Sequence, residues 1–230
     1  MRNIGNEKAQ GSKEALLEVM RRRRLVAVIR SRTRDDALSL ARAAARAGIS
    51  LIEITTTVPE AFGVIEELAA EGGLQVGAGT VLSADHARRA IGAGARFVVA
   101  PSLELELIPI CRTAGVLCIP GAATPTEIVA GWRAGADLVK LFPADLLGGP
   151  GFVRQMLGPF PQVRFVVSGG VDRSNVQDYV RLGVLGICLG SAFLERLLAT
   201  EGTAGFSSTV GGYVELVERA LEPPKESADE

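Results

Sequence analysis

The sequence predicts an α/β protein, a (β/α)8 barrel of the TIM type with one extra helix before the first strand. Short apolar runs rich in β-branched residues alternate with helical stretches, which is typical of parallel strands joined by crossover helices. Glycines recur where a helix ends and a strand follows, namely Gly48, Gly94, Gly115, Gly135 and Gly183. Their spacing is about 21 residues or roughly twice that, which fits eight repeated units near the short end of the barrel range.

Each element is justified by a local pattern. The eight predicted strands are continuous or alternating apolar runs: 25–30, 51–55, 75–77, 97–100, 116–119, 137–141, 164–167 and 186–189. The helices between them are amphipathic: 35–47, 59–70, 84–91, 103–113, 126–133, 152–157 and 174–182. Most helices follow a residue that can cap them: Thr33, Ser83, Ser102, Thr124 and Asp172.

The domain organisation follows from these elements. Residues 1–222 are predicted to form one barrel domain, with an N-terminal helix at 12–24, the barrel at 25–200 and a C-terminal helix at 206–222. Residues 223–230 are expected to be a disordered tail. The main structural alternative is an open doubly wound sheet, whose nucleotide-binding form needs a glycine-rich turn after the first strand. Residues 28–33 contain no glycine, which favours the barrel.

Composition excludes several functions. A net charge of −1 argues against binding driven by nucleic-acid phosphates, and no apolar run approaches the ~20 residues of a membrane span. The N-terminus lacks the apolar core of a signal peptide, so a cytoplasmic location is expected. Three cysteines, Cys111, Cys118 and Cys188, are predicted to be buried free thiols. Their spacing does not match a metal-binding motif, and the sequence has one histidine, His86, so no metal site is expected.

Lys140 and Glu53 are the candidate catalytic residues. Lys140 is the one lysine between Lys13 and Lys225, and it interrupts an apolar strand whose alternation turns its side chain into the barrel. Desolvation there disfavours the ammonium form and favours a Schiff-base nucleophile. Glu53 interrupts the second strand in the same way, and alternate strands share one layer of a barrel interior. The alternative is a buried ion pair with a purely structural role.

Two glycine-rich turns predict a phosphate site. Gly169 and Gly170 follow the seventh strand, and Gly190 and Ser191 follow the eighth. Barrels often bind phosphate with these two loops and a helix N-terminus, because glycine allows backbone N–H groups to approach the anion. Ordinary tight turns are the alternative.

These residues belong to segments that resemble the 2-keto-3-deoxy-6-phosphogluconate (KDPG) aldolases, which also act as 4-hydroxy-2-oxoglutarate (KHG) aldolases. The resemblance is collinear from about Leu25 to Phe193. Its segments are AVIR at 27–30, GISLIEITTT at 48–57, VGAGTVL at 76–82, FVVAP at 97–101, PG at 120–121, TPTE at 124–127, KLFPA at 140–144, GPF at 158–160, SGGV at 168–171 and GS at 190–191.

The resemblance implies a class I aldolase that forms a Schiff base and needs neither a metal nor a cofactor. Lys140 matches the Schiff-base lysine and Glu53 the general acid/base. The positions matched to the substrate pocket are Thr80, Pro101, Phe142 and Ser168, and those matched to the phosphate turns are Gly169, Gly170, Gly190 and Ser191. Members of the family are typically homotrimers, and the implied ligand is a small, phosphorylated 2-keto acid.

The chain departs from the family pattern at two positions. Many members carry arginine where this chain has Thr57, and a subset has threonine there with arginine at the end of the first strand. Arg30 has that position here, so it is expected to contact the substrate carboxylate or phosphate. Ser168 stands where the family usually has threonine, and it keeps the hydroxyl.

Other functions remain open on the sequence. They are an aldolase for the galactonate epimer, another phosphate-binding barrel enzyme such as an isomerase, and a non-catalytic trimeric barrel scaffold. A pyridoxal phosphate enzyme would also use a barrel lysine, but no further feature points to that cofactor.

Overall fold

Nine parallel strand segments form the barrel in this computed structural model, which describes residues 4–222. In chain order they are β1 Leu25–Ile29, β2 Leu51–Thr55, β3 Gln75–Gly79, β4 Phe97–Val99, β5 Leu117–Ile119, β6 Gly121–Ala122, β7 Val139–Leu141, β8 Phe165–Ser168 and β9 Gly186–Leu189. They pair in the order β5-β4-β3-β2-β1-β9-β8-β7-β6. Because β5 and β6 are separated in the chain by Pro120 alone, this order closes into a ring, and the predicted TIM barrel is confirmed.

The fifth predicted strand differs in one respect. It was expected to end at residue 119, and instead it continues beyond Pro120 as β6. Proline has no N–H to donate to the ladder, so it divides the strand into two segments. The Pro120 carbonyl still accepts a hydrogen bond from the Lys140 N–H at 2.8 Å, and the Asp137 N–H donates to the Cys118 carbonyl at 3.1 Å. These bonds join the fifth barrel strand to β7.

Helices alternate with the strands. Their bounds are α1 Ile4–Arg23, α2 Arg34–Arg46, α3 Ala61–Ala70, α4 Ala84–Gly92, α5 Leu107–Ala114, α6 Pro125–Ala134, α7 Pro150–Leu157, α8 Val176–Arg181 and α9 Ser191–Leu221. α1 begins at Ile4, earlier than the predicted residue 12. The prediction missed residues 4–11 because they carry no apolar periodicity that would mark them as helical. α9 contains a break at Gly202, with φ 63° and ψ −173°, which separates the last barrel helix from the predicted C-terminal one. The tail predicted at 223–230 lies outside the described residues.

Two apolar cores stabilise the barrel. The larger core lies between the strands and the surrounding helices. The second lies inside the barrel, where residues such as Val28, Phe97 and Val166 pack together with Leu16 and Met20 of α1. The added-Cβ position of Gly186, at the start of β9, is 3.4 Å from Met20 Cε, so α1 closes the N-terminal end of the barrel. None of the helices described is both long and apolar enough to cross a membrane.

We expect Leu16→Ala to lower the free energy of unfolding by roughly 2–5 kcal/mol, because a fully buried leucine of the closing helix would leave a cavity. Leu16 is 1% exposed. Urea unfolding measures the effect, with Leu82→Ala as the control because Leu82 is 50% exposed. An equal loss in both variants would contradict the role of α1 as part of the interior core.

Candidate active site

Lys140 and Glu53 meet inside the barrel. Lys140 lies on β7 and Glu53 on β2, and strand alternation turns both side chains inward, whereas Val139 and Leu141 face the outer core. Lys140 Nζ is 3.7 Å from Glu53 Oε1, and the two side chains are 8% and 2% exposed. The predicted pair therefore exists as a buried ion pair, with the charged groups largely removed from water.

Two glycines within strands allow close approaches around this pair. A Cβ added at Gly79 would lie 2.0 Å from Glu53 Oε1, so β3 must lack a side chain where the carboxylate lies. Gly121 pairs in register with Lys140, and a Cβ there would lie 2.3 Å from the backbone of Pro101. Sequence reasoning assigned neither glycine a role. The signal was a glycine within a strand, which often marks a close approach.

Two further side chains surround the lysine. The Phe142 ring centroid is 5.4 Å from Lys140 Nζ, and Phe142 is 38% exposed, so it lies at the open side of the pair. Cys188 on β9 is fully buried, and burial, together with the nearby Glu53 carboxylate, raises the pKa of its thiol to about 12. The thiol therefore stays protonated at neutral pH and does not compete with the lysine as a nucleophile. All three cysteines are buried and free, as predicted.

Three consecutive threonines lie at and just after the C-terminal end of β2. They belong to the rim of the barrel, which the residues at the C-terminal ends of the strands form. The buried Thr55 shares a hydrogen bond of 2.8 Å with the exposed Thr57. The Thr56 hydroxyl donates to the Thr80 carbonyl at 2.7 Å. Thr80 has φ 56°, in the left-handed region, and this bond helps to hold it there. Thr80 is therefore fixed in place beside the ends of β2 and β3.

Arg30 supplies a positive charge at this rim. It follows β1, and its Nη2 donates to the Thr80 hydroxyl at 3.1 Å. The pairing order places β2 between β1 and β3, so the guanidinium extends past the end of β2, where Thr57 lies. Arg30 thus places a positive charge beside Thr80, which follows the end of β3.

The glycine turns form a third group. Gly169 has φ 102° and Gly170 φ 64°, conformations that side chains rarely adopt. The Asn175 amide donates to the Gly170 carbonyl at 2.8 Å, and the Asp145 side chain packs against both glycines. Ser168, which precedes them, is buried. The sequence did not identify Asn175 and Asp145, because their contacts with this glycine turn form only in the folded chain.

The second turn leads into α9. Gly190 is the N-cap of this helix and Ser191 its first residue. The Ser191 hydroxyl accepts from the Arg30 N–H at 3.0 Å and donates to the Arg30 carbonyl at 2.8 Å. Within residues 4–222, no group of three or more histidine, cysteine, aspartate or glutamate side chains is placed to hold a metal ion.

Comparison with known proteins places this chain among the aldolases. Residues 16–204 match the family described as KDPG and KHG aldolase. The chain belongs to this family. The aldolase sequence from Treponema pallidum, a 2-dehydro-3-deoxy-phosphogluconate aldolase, is 37% identical over 76% of this chain and 84% of its own. The probable 2-dehydro-3-deoxy-6-phosphogalactonate aldolase of Rhizobium meliloti is 35% identical over 83% and 94%.

Solved aldolase structures share the fold. The KDPG aldolase of Legionella pneumophila, with pyruvate captured as a covalent carbinolamine, is 29% identical with a TM-score of 0.72, over 89% of this chain and 97% of that one. The Zymomonas mobilis aldolase with 3-phosphoglycerate is 27% identical with a TM-score of 0.76, over the same shares.

We expect Gly79→Ala to lower aldolase turnover by about 10- to 100-fold, because the added methyl group displaces the Glu53 carboxylate, and small misplacements of a reacting group have effects of this size. Steady-state turnover measures the loss, and thermal unfolding checks the fold. Gly63→Ala is the control, since a Cβ at Gly63 meets nothing within 4 Å. Normal turnover of Gly79→Ala would mean that the carboxylate position is not critical.

Proposed function

We propose that this member of the family is a class I aldolase in which Lys140 forms a Schiff base with the substrate. Its reaction cleaves KDPG to pyruvate and glyceraldehyde 3-phosphate, and 4-hydroxy-2-oxoglutarate to pyruvate and glyoxylate. The observation that carries the proposal is the buried contact of 3.7 Å between Lys140 Nζ and Glu53 Oε1. A lysine and a carboxylate at this distance inside an apolar barrel are suited to nucleophilic and acid/base catalysis.

The first half of the reaction forms an iminium on Lys140, which later accepts the electrons of the broken bond. Proton transfer from the Lys140 ammonium to the Glu53 carboxylate yields a free amine and a carboxylic acid. The amine attacks the C2 ketone, and the oxygen takes the proton back from Glu53 to form a carbinolamine. Loss of water, again with proton transfer through Glu53, gives the iminium. Because water is largely excluded from the pair, fixed charges and dipoles act more strongly there than in bulk solvent.

The second half breaks the carbon–carbon bond. Glu53 accepts the C4 hydroxyl proton through a water molecule, and the C4 oxygen forms an aldehyde as the C3–C4 bond breaks. The bonding electrons move into the iminium, which becomes the enamine of pyruvate. Protonation at C3 restores the iminium, and hydrolysis releases pyruvate and the Lys140 amine.

Substrate binding is assigned to the rim. Arg30, together with Thr80, binds the C1 carboxylate, because a guanidinium beside a hydroxyl offers several hydrogen-bond donors to one anion. The pocket around the reacting carbons is lined by Thr57, Pro101, Phe142 and Ser168. The backbone N–H groups of Gly169, Gly170, Gly190 and Ser191 bind the phosphate at the start of α9, where the helix dipole favours a negative charge.

The wider proposal follows the family resemblance. The protein acts as a homotrimer in the cytoplasm, takes a small phosphorylated 2-keto acid as its ligand, and needs no added cofactor, because the covalent intermediate forms on its own lysine.

A second candidate substrate is the C4 epimer, 2-keto-3-deoxy-6-phosphogalactonate. It is favoured by the Rhizobium meliloti relative, of which the alignment covers 94%. The ratio of turnover with the two epimers at equal concentration decides between them.

Borohydride reduction in the presence of pyruvate tests the Schiff base. We expect one pyruvyl adduct on Lys140, because it is the one lysine between Lys13 and Lys225. Peptide mass mapping locates the adduct, and Lys140→Met is the matched control. An unmodified Lys140 in the wild-type protein would exclude the proposed nucleophile.

Glu53→Gln is expected to lower turnover by about 10² or more, since the amide keeps the shape but cannot exchange the proton. An assay that couples pyruvate release to lactate dehydrogenase measures turnover, and thermal unfolding shows whether the barrel persists. Turnover close to that of the wild type would remove Glu53 from the acid/base role.

A further inference from the structure

Thr80 lies at the point where the chain leaves the ladder between β2 and β3. The register of these two strands ends at Gly79, whose carbonyl also accepts a hydrogen bond from the Thr56 N–H at 2.8 Å. Two residues after Gly79, the Val81 N–H donates at 3.1 Å to the carbonyl of Val99, the last residue of β4. The backbone therefore changes its pairing partner across Thr80.

This change of partner coincides with an uncommon backbone conformation. Thr80 has φ 56°, in the left-handed region, which a β-branched residue rarely adopts. Such a conformation persists only where the surrounding structure holds it in place. The half-buried Thr56 supplies part of that hold, because its hydroxyl donates to the Thr80 carbonyl at 2.7 Å. Thr56 thus binds two consecutive carbonyls, with its N–H at Gly79 and its hydroxyl at Thr80.

The Thr80 hydroxyl is suited to donate to an anion. A hydroxyl has one hydrogen to donate and two lone pairs with which to accept. Arg30 Nη2 donates to the Thr80 hydroxyl at 3.1 Å, so this bond uses a lone pair and leaves the hydrogen free to donate. The Thr80 hydroxyl and the Arg30 guanidinium can therefore donate to one carboxylate, provided that the backbone keeps them side by side.

We propose that Thr56 is a positioning residue for the substrate carboxylate. Its hydroxyl fixes the Thr80 carbonyl, and thereby holds the Thr80 hydroxyl where it and the Arg30 guanidinium donate to the same C1 carboxylate. Thr56 acts through Thr80 and does not itself touch the substrate. This inference rests on the proposed function, because it assumes that Arg30 and Thr80 bind that carboxylate.

A small set of variants isolates the Thr56 hydroxyl. Thr56→Val removes it and keeps the branched shape of the side chain, whereas Thr56→Ser keeps the hydroxyl. Thr113→Val is the matched control, because the exposed Thr113 also donates to a backbone carbonyl, that of Pro109 at 2.9 Å, but within α5. Thermal unfolding shows whether each variant folds, and Thr56→Ala takes the place of Thr56→Val if valine disturbs the packing.

The main experiment measures the pyruvate concentration that gives half-maximal borohydride trapping on Lys140, and repeats the measurement with pyruvamide. Pyruvamide has the same ketone but carries a neutral amide in place of the carboxylate. We expect Thr56→Val to raise the half-maximal pyruvate concentration about tenfold, because a hydrogen bond to a charged group is worth about 10- to 100-fold in affinity. The value for pyruvamide should stay close to that of the wild type. Thr56→Ser and Thr113→Val should match the wild type with both compounds.

Steady-state kinetics with KDPG gives an independent readout. KM should rise by a similar factor in Thr56→Val with little change in kcat, because the carboxylate contact is the same in the ground state and the transition state. In a Thr80→Ala background, Thr56→Val should add no further increase in KM, since the hydroxyl that it positions is already absent.

Several outcomes would overturn the role of Thr56. An equal loss of affinity for pyruvate and pyruvamide, or a fall in kcat at unchanged KM, would mean that its hydroxyl only stabilises the fold. Normal pyruvate affinity in Thr56→Val, or a KM increase that persists in the Thr80→Ala background, would contradict the proposal as well. If the wild-type protein forms no pyruvyl adduct on Lys140, the proposed function itself fails. A wild-type adduct together with an unaffected Thr56→Val removes only the role of Thr56.

Discussion

A lysine and a glutamate 3.7 Å apart inside an apolar barrel impose the main constraint on this protein. Removing two charges from water is costly, and their attraction offsets that cost only when the geometry is good. Loss of one partner from such a pair typically costs about 3–5 kcal/mol, because the other charge stays buried alone. The surrounding barrel must therefore hold Lys140 and Glu53 together while leaving access for a substrate.

The two ends of the barrel differ in how their interior is filled, and this difference meets both requirements. At the N-terminal ends of the strands, Leu16, Leu17 and Met20 of α1 fill the interior. Towards the C-terminal ends, the missing side chain of Gly79 leaves space for the Glu53 carboxylate. Apolar packing thus stabilises one end, and the other end accommodates the ion pair.

The rim residues form a connected arrangement around that opening. Ser191 holds the backbone of Arg30, whose guanidinium reaches Thr80, and Thr80 is held in turn by Thr56. These four residues come from three neighbouring strands and the helix α9. Their hydrogen bonds fix the position of a charge that packing alone would leave mobile, which suits the recognition of a small anion.

The sequence by itself determined the barrel and the two ionisable side chains of its interior. Alternating apolar strands and helices predicted the fold, and strand alternation alone turned Lys140 and Glu53 inward, because side-chain direction in a strand is a local property. The glycines at 169, 170 and 190 were also predicted from local sequence, because they directly follow the seventh and eighth predicted strands. Only the tertiary structure decided the length of the fifth strand, the space that Gly79 provides and the attachment of Arg30 to Ser191 and Thr80. These features depend on how residues distant in the chain are brought into register when the barrel closes, and no local pattern records that register.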